Sequence, residues 1–317
     1  MVVFHHARFF AGAAPAWLTK SGAAGVDIFF VISGFIMAYT TADAAGPRLA
    51  AARAFLRRRF IRVVPLYWLA LLWTAHSQLL HGHPDHRLLM DFLFLPHTSV
   101  QFPPEIWPCL VPGWTINYEM FFYVLFGGGL LLGRGRLWFV VAVLVALATL
   151  GFTLPVRGAA ALFYTHDVIL EFALGIGVFV LWRRFGAPRG PGWLPWLVLA
   201  AGFLLLMLPN GFLKVVCDGL PAAAIVYAGI FTLGRVRAPL LKILGDASYS
   251  IYLFHLAAFA LMAKFWNPPA AAFGTTGLLW VIALRIALAA LAGTALHYAL
   301  ERPMLAWLRR RLEPGAA

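Results

Sequence analysis

Every second joint between the long apolar runs of this sequence is loaded with arginine, and the joints between them hold almost none. The runs cover about Gly25–Tyr39, Val64–Leu80, Ile116–Leu132, Leu137–Leu154, Leu162–Trp182, Trp193–Leu208, Leu213–Leu233, Leu240–Ala263 and Thr276–Ala299. A bilayer-crossing helix needs roughly 20 mostly apolar residues. A partial stretch, Met1–Ala14, is too short to cross alone and reads as the outer part of a first helix, which makes ten spans. Counted from it, the second span is followed by the run Arg53 to Arg62 and the fourth by Arg134 and Arg136. Arg183, Arg184 and Arg189 follow the sixth, Arg235, Arg237 and Lys242 the eighth, and Arg309–Arg311 the tenth. The other joints hold little beyond Lys20, Arg87 and Arg157. Basic residues collect in cytoplasmic loops, so both termini are expected in the cytoplasm. One miscounted helix would break the alternation.

Composition agrees with that reading. Of the 317 residues, 62% are hydrophobic and 12% charged, against about 45–50% and about 25% in soluble domains. Such a chain has too little charge to cover a water-soluble surface, which excludes a soluble enzyme and a disordered protein. The net charge of +13 would suggest nucleic acid in a soluble protein; here the basic residues sit in loops and reflect topology. Cys109 and Cys217 make neither a disulfide framework nor a metal site, and no metal is expected. The fold class is therefore all-α, a single integral-membrane bundle over residues 1–317. No basic region precedes the first apolar stretch, so a cleaved leader is not expected. The Gly/Pro-rich stretches Gly186–Pro195 and Asn267–Pro269 read as loops, and the long outer loop His81–Gly113 is expected to hold a short helix over Leu88–Leu95.

An ionisable side chain inside a bilayer costs roughly 2.5–3.5 kcal/mol on insertion scales, so each is a functional candidate. The set is His5, His6, Asp27, Glu119, His166, Asp167, Glu171, His255, Arg285, His297 and Glu301. A neutral imidazole such as His5 or His6 can take a proton from a hydroxyl, or can simply pack with a hydrogen bond. Asp27 sits at the outer end of its helix, and Ser33 with Gly34 permits close helix approach. Arg59 and Arg62 share a helix face at the cytoplasmic edge, where guanidinium forks suit phosphates or lipid headgroups. Glu119 lies one turn after Thr115 and one turn before Tyr123; it can polarise a catalytic group or grip a hydroxyl. Trp114 and Tyr118 can stack on a sugar or form an interfacial belt. Ser248, Tyr252 and His255 form one polar stripe, but Ser248 and His255 are about two turns apart, roughly 10 Å, too far for a hydrolase dyad. Glu301-Arg302-Pro303 reads as a helix end closed by proline with a local ion pair.

The pieces VVFHHA (2–7), GVDIFFVISGFIM (25–37), RRFIRVVPLYW (58–68), GWTINYEMFFY (113–123), ASYSIYLFH (247–255) and ERP (301–303) resemble, in order and over essentially the whole chain, the acyltransferase-3 family of membrane O-acyltransferases. The second and fourth pieces are most similar to the branch that O-acetylates bacterial exopolysaccharides of the succinoglycan type. The resemblance implies transfer of an acyl group, commonly acetyl, from acyl-CoA as co-substrate to a sugar hydroxyl, with no bound cofactor. It implies a bacterial inner-membrane location and a glycan or lipid-linked sugar acceptor. It makes His6 the essential histidine and matches the family's Arg-x-x-Arg pair to Arg59 and Arg62 and its Glu-x-Pro ending to Glu301 and Pro303. The family's first-helix Arg would fall before Met1, so the chain is expected to start inside its first helix, with the true start upstream. Asp27 or Glu119 is expected to steady the imidazolium or hold the sugar, and Tyr252 or Ser248 to face the oxyanion. Direct transfer and an acyl-histidine intermediate are both compatible with these residues. A transporter or flippase of lipid-linked sugar, or a non-catalytic paralogue, is the alternative; dependence of acceptor modification on a thioester donor separates them.

Overall fold

The computed structural model describes residues 1–9, 22–43, 46–186, 191–208, 213–233, 236, 238–266 and 274–312, apart from the side chains of Phe9 and of 274–276. The first helix beyond Phe9, Lys20, the loop at 187–190, Arg235, Arg237 and the Asn267–Pro269 loop lie outside the described residues. All regular elements among the described residues are helical. In chain order the α-helices are α1 (Val2–Phe9), α2 (Gly25–Thr40), α3 (Arg48–Leu80), α4 (Leu88–Phe92), α5 (Gly113–Leu130), α6 (Arg136–Thr153) and α7 (Ala159–Tyr164). They continue as α8 (Leu170–Phe185), α9 (Leu194–Met207), α10 (Leu220–Thr232), α11 (Pro239–Asp246), α12 (Ser248–Phe265), α13 (Gly274–Leu296) and α14 (Arg302–Leu312).

Among the described residues, five helical segments are long and apolar enough to cross a bilayer: Arg48–Leu80, Gly133–Thr153, Val215–Thr232, Ser248–Phe265 and Gly277–Leu312. Gly25–Thr40 and Leu194–Met207 are shorter apolar helices. The protein is thus a multi-pass membrane protein. Helix α5 is the most inward-facing, burying Thr115, Asn117, Tyr118 and Glu119 with its aromatic residues. Large apolar side chains such as Trp73, Val124, Trp138, Phe185 and Trp280 face outward on the peripheral surfaces, as lipid-facing positions do.

The tightest helix pair is α2 with α8. A Cβ on Gly34 would lie 2.1 Å from the carbonyl oxygen of Phe172, and one on Gly175 would lie 2.1 Å from that of Val31. The two backbones touch, as the small residues Ser33 and Gly34 predict. Helix α10 packs on both, α9 packs on α10, and α3 packs on α5. Helices α12 and α13 form a second group on which α1 lies. The space between the two groups is the cavity described below.

The structure corrects four boundaries. The basic run does not lie in a loop but belongs to a continuous α3 that begins at Arg48. The span Leu162–Trp182 is broken. His166 accepts the backbone N–H of Val168, and Asp167 accepts that of Val215 at 3.3 Å, which stops α7 before α8 begins. The span Leu240–Ala263 turns at Ala247, between α11 and α12. Glu301-Arg302-Pro303 does not end a helix: α13 passes through a π-turn, His297–Glu301, into α14. A second π-turn, Val215–Gly219, leads into α10. Both turns end two residues before a proline, Pro221 or Pro303. A proline ring clashes with the carbonyl four residues back and offers no N–H. The wider π-turn relieves that clash, and each turn carries a buried carboxylate, Asp218 or Glu301. The outer loop holds its short helix at Leu88–Phe92.

Candidate active site

A cavity of about 580 Å³ opens between α1, α2, α3, α5 and α12. Its walls are mostly apolar, from Val2, Val3, Phe29, Ile32, Met37, Ile116 and Ile251. One end of its wall carries Arg59, Arg62, Ser248 and Tyr249, the other Thr115 and Tyr252, with Ser33, Glu119 and Tyr123 between them.

The polar groups are tied in four sets. Glu119, only 5% exposed, accepts a hydrogen bond from Ser33 Oγ at 2.7 Å and another from Tyr123. The i, i+4 spacing on α5 makes the second bond, and the close approach of α2 brings Ser33 to the first. Tyr252 donates to the Pro112 carbonyl at 2.7 Å, with Thr115 Oγ1 2.6 Å from its oxygen. Glu301 is fully buried and accepts from Arg62, from Ser250 Oγ at 2.6 Å and from His297 Nδ1 at 2.8 Å. Arg59 lies 5.6 Å from the Phe55 ring and 5.8 Å from that of Tyr123, a cation–π arrangement.

The fourth set lies one helical turn beyond the cavity wall. His6 Nδ1 is 2.7 Å from His255 Nε2, and His255 Nδ1 is 2.6 Å from the carbonyl oxygen of Tyr252. Val2 and Ile251 line the cavity, and His6 and His255 each follow four residues later on the same helix faces. One helical turn, about 5.4 Å, therefore separates the imidazole pair from those wall residues. His5 points elsewhere and meets Arg8 Nη2 at 3.3 Å.

Other expected residues lie apart from this cavity. Asp27 turns to Lys214, whose ammonium is also 3.6 Å from Glu171 and 3.5 Å from Asp218. Asp27 is absent from the cavity wall, and its pairing gives it no contact with His6. Tyr118 does not offer a free face to a sugar: its ring stacks on Phe163 at 3.7 Å, and its hydroxyl donates to the Phe163 carbonyl. Trp114 meets Phe30 and Tyr118 edge-on. Both residues pack the core instead of forming an interfacial belt. Tyr249 and Lys214 were not singled out from the sequence. The rule that finds buried ionisable groups points to Lys214 and Asp218 once the eighth span is known to begin with a π-turn.

The outer loop has its own polar core. Asp91 accepts from His97 Nε2 at 2.7 Å and from the Cys109 backbone N–H at 2.9 Å. Burial raises the Asp91 carboxyl above its ordinary value despite these bonds. Burial alone would lower His97, but its bonds to Asp91 and the Thr98 carbonyl outweigh that and raise it. Burial, reinforced by Asp85 and Asp91, pushes the Cys109 thiol up to about 12. One oxygen each of Asp85 and Asp91 and the Cys109 sulfur lie within 4.8 Å of one another. Both Asp91 oxygens already serve loop partners, so the set reads as a loop staple.

Residues 1–299 match the acyltransferase-3 family, described as an acyltransferase domain. The chain belongs to that family. An acyltransferase-3 protein is a transferase that moves acyl groups other than amino-acyl groups. Among similar proteins, the exopolysaccharide production protein ExoZ of Rhizobium meliloti (strain 1021) is 37% identical over 311 residues, covering 93% of this chain and 94% of that protein. The acyltransferase MdmB of Streptomyces mycarofaciens is 29% identical over 352 residues, covering 96% and 87%. No solved structure matches the chain.

Proposed function

We propose that this acyltransferase moves an acetyl group from acetyl-CoA to a hydroxyl of a cell-surface or exopolysaccharide sugar. The observation that carries the reading is one cavity with two arginines on its wall and an imidazole pair one helical turn beyond Val2 and Ile251, which line it. The similarity to a relative named for exopolysaccharide production supports the acceptor class. The arginine distribution supports a bacterial cytoplasmic membrane setting with both termini inside.

In this reading Arg59 and Arg62 meet the CoA phosphates, and the apolar walls take the pantetheine arm. The thioester reaches the other end. His6 removes the proton from the acceptor hydroxyl, whose oxygen attacks the thioester carbonyl. The Tyr252 hydroxyl, on the cavity wall, would exchange its bond to the Pro112 carbonyl for one to the developing oxyanion. As the tetrahedral centre collapses, the carbon–sulfur bond breaks, and the proton on His6 passes to the CoA thiolate. Glu119 ties Ser33 and Tyr123 together on the wall along which the arm must run.

The test is transfer of radiolabelled acetyl from acetyl-CoA to glycan in membranes that hold the chain or its His6→Ala variant. Label that requires His6 is the expected result. Label that persists in the variant removes His6 as the base, and no label with the unaltered chain removes acetyl-CoA as its donor.

A further inference from the structure

We propose that His255 is the positioning residue that locks His6 into one tautomer, with its proton on Nδ1 and its lone pair on Nε2. The inference rests on the reading of His6 as the base and says which of its nitrogens acts. A backbone carbonyl only accepts, so the 2.6 Å contact from His255 Nδ1 to the Tyr252 oxygen puts a proton on Nδ1. His255 is fully buried, and among the described residues no carboxylate pairs with it. A second proton would bury an uncompensated charge, which costs more than any hydrogen bond there returns. His255 is therefore neutral, and its Nε2 is an acceptor. The 2.7 Å contact then requires His6 Nδ1 to donate.

Ring geometry agrees. The two ring centres are 4.9 Å apart, with the planes inclined by 22°. Two nearly coplanar imidazoles joined edge to edge by one N–H···N bond have that separation, and a face-to-face stack would be closer. The neighbouring His5 is held the other way. A guanidinium only donates, so the Arg8 contact at 3.3 Å makes His5 Nδ1 the acceptor and leaves its proton on Nε2. Adjacent histidines are thus set in opposite tautomers by different helices, and the His6 Nε2 lone pair is the one not used within the pair.

The carbonyl of Tyr252 orients His255, and His255 orients His6, so the relay begins in a helix backbone and is insensitive to side-chain motion. Without it, a free imidazole divides between two tautomers, and Nε2 is bare in only part of the population. A bond that fixes a catalytic histidine from its far nitrogen is a known device of acyl-transfer sites built on other residues. Here the acceptor is a second neutral imidazole.

The experiment uses the full chain in membranes, with His255→Leu, His255→Gln and His6→Ala compared for kcat and for the KM of acetyl-CoA. His255→Leu removes the acceptor and is expected to lower kcat about tenfold or more, within the roughly 10²–10⁴-fold contribution of a general base, with KM unchanged. His255→Gln keeps an acceptor oxygen and is expected to recover most of that loss. An unchanged kcat in His255→Leu, or a Gln variant as slow as the Leu variant, overturns the inference. The second readout needs no activity: in ¹⁵N-histidine-labelled protein, the signal that disappears in His6→Ala should show a protonated Nδ1 and a bare Nε2. The reverse pattern overturns the proposal even where His255→Leu does not fold. If His6→Ala keeps full activity, the role of His6 as base fails, while the ¹⁵N spectrum still decides the tautomer.

Discussion

Arg62 and Glu301, 239 positions apart, form an ion pair that joins α3 to the π-turn ahead of α14. Its carboxylate is fully buried, whereas the Arg62 side chain is 35% exposed. This asymmetry separates two duties of the arginine pair. Removing one partner of a fully buried pair costs about 3–5 kcal/mol, and the exposure of Arg62 discounts that to about 1–3 kcal/mol. Arg62→Ala is therefore expected to lower the Tm in detergent, and Arg62→Ala with Glu301→Gln to recover much of it. A Tm unchanged in the single variant would remove the structural duty.

Arg59 lies against two aromatic rings at the same end of the cavity, and among the described residues it makes no ion pair. Arg59→Gln is expected to leave Tm within about 1 kcal/mol of unfolding free energy while raising the KM of acetyl-CoA about tenfold, the scale of one charge-assisted hydrogen bond of about 1.4 kcal/mol. An unchanged KM would exclude contact with the CoA phosphates.

The Glu119 oxygen that accepts from both Ser33 and Tyr123 can be replaced by an amide oxygen. Glu119→Gln should keep the fold and lose activity if the charge matters to the reaction. Glu119→Ala should also destabilise by about 1–3 kcal/mol for each hydroxyl left without an acceptor. Thermal unfolding and acetyl transfer measured on both variants separate the two effects. Full activity in the Gln variant would reduce Glu119 to a structural anchor.

Two glycines of α8 make opposite predictions. At Gly175 a methyl group would collide with the Val31 carbonyl, whereas nothing lies within 4 Å of a Cβ at Gly177. Gly175→Ala is expected to lose about 1–3 kcal/mol or more through overpacking. Gly177→Ala is expected to gain up to about 1 kcal/mol of helix propensity. Equal Tm shifts in the two variants would contradict the α2–α8 backbone contact.

The outer loop should loosen as the medium becomes alkaline. His97 has a folded pKa raised above its ordinary value of 6.5, so its contribution is complete below that value and fades as pH climbs through the raised one. Asp91, also raised, favours its protonated form in the fold, so its linkage has the same sign from the ordinary value of 3.8 upward. Hydrogen exchange at 91–109 should therefore quicken from pH 6.5 to pH 8 more than intrinsic amide exchange does, and His97→Gln should flatten the dependence. A dependence that survives in that variant would exclude His97 as its source.

Much of this architecture was legible in residue order. Apolar runs located the helices because lipid imposes one apolar length along the whole chain. The spacing of Thr115, Glu119 and Tyr123 placed three cavity groups on one face, since helical geometry is local. The partners of those groups were not legible. Nothing near Glu301 announces Arg62, and nothing near His6 announces His255, because packing between distant helices brings them together. Aromatic residues misled for a related reason: Trp114 and Tyr118 have the composition of a sugar platform, and only the position of Phe163 shows that the Tyr118 face is taken. The prolines at 221 and 303 read as helix stops because the sequence does not display the π-turns that accommodate them.

The cavity draws its walls from both ends of the chain, and the imidazole pair one turn beyond them joins His6 to His255, nearly 250 residues later. During synthesis, the earliest helices must wait in the membrane with one side of the future chamber missing. No ribosome-bound intermediate that ends before α12 can hold the imidazole pair. The enzyme therefore completes this chamber only after α12 has been made.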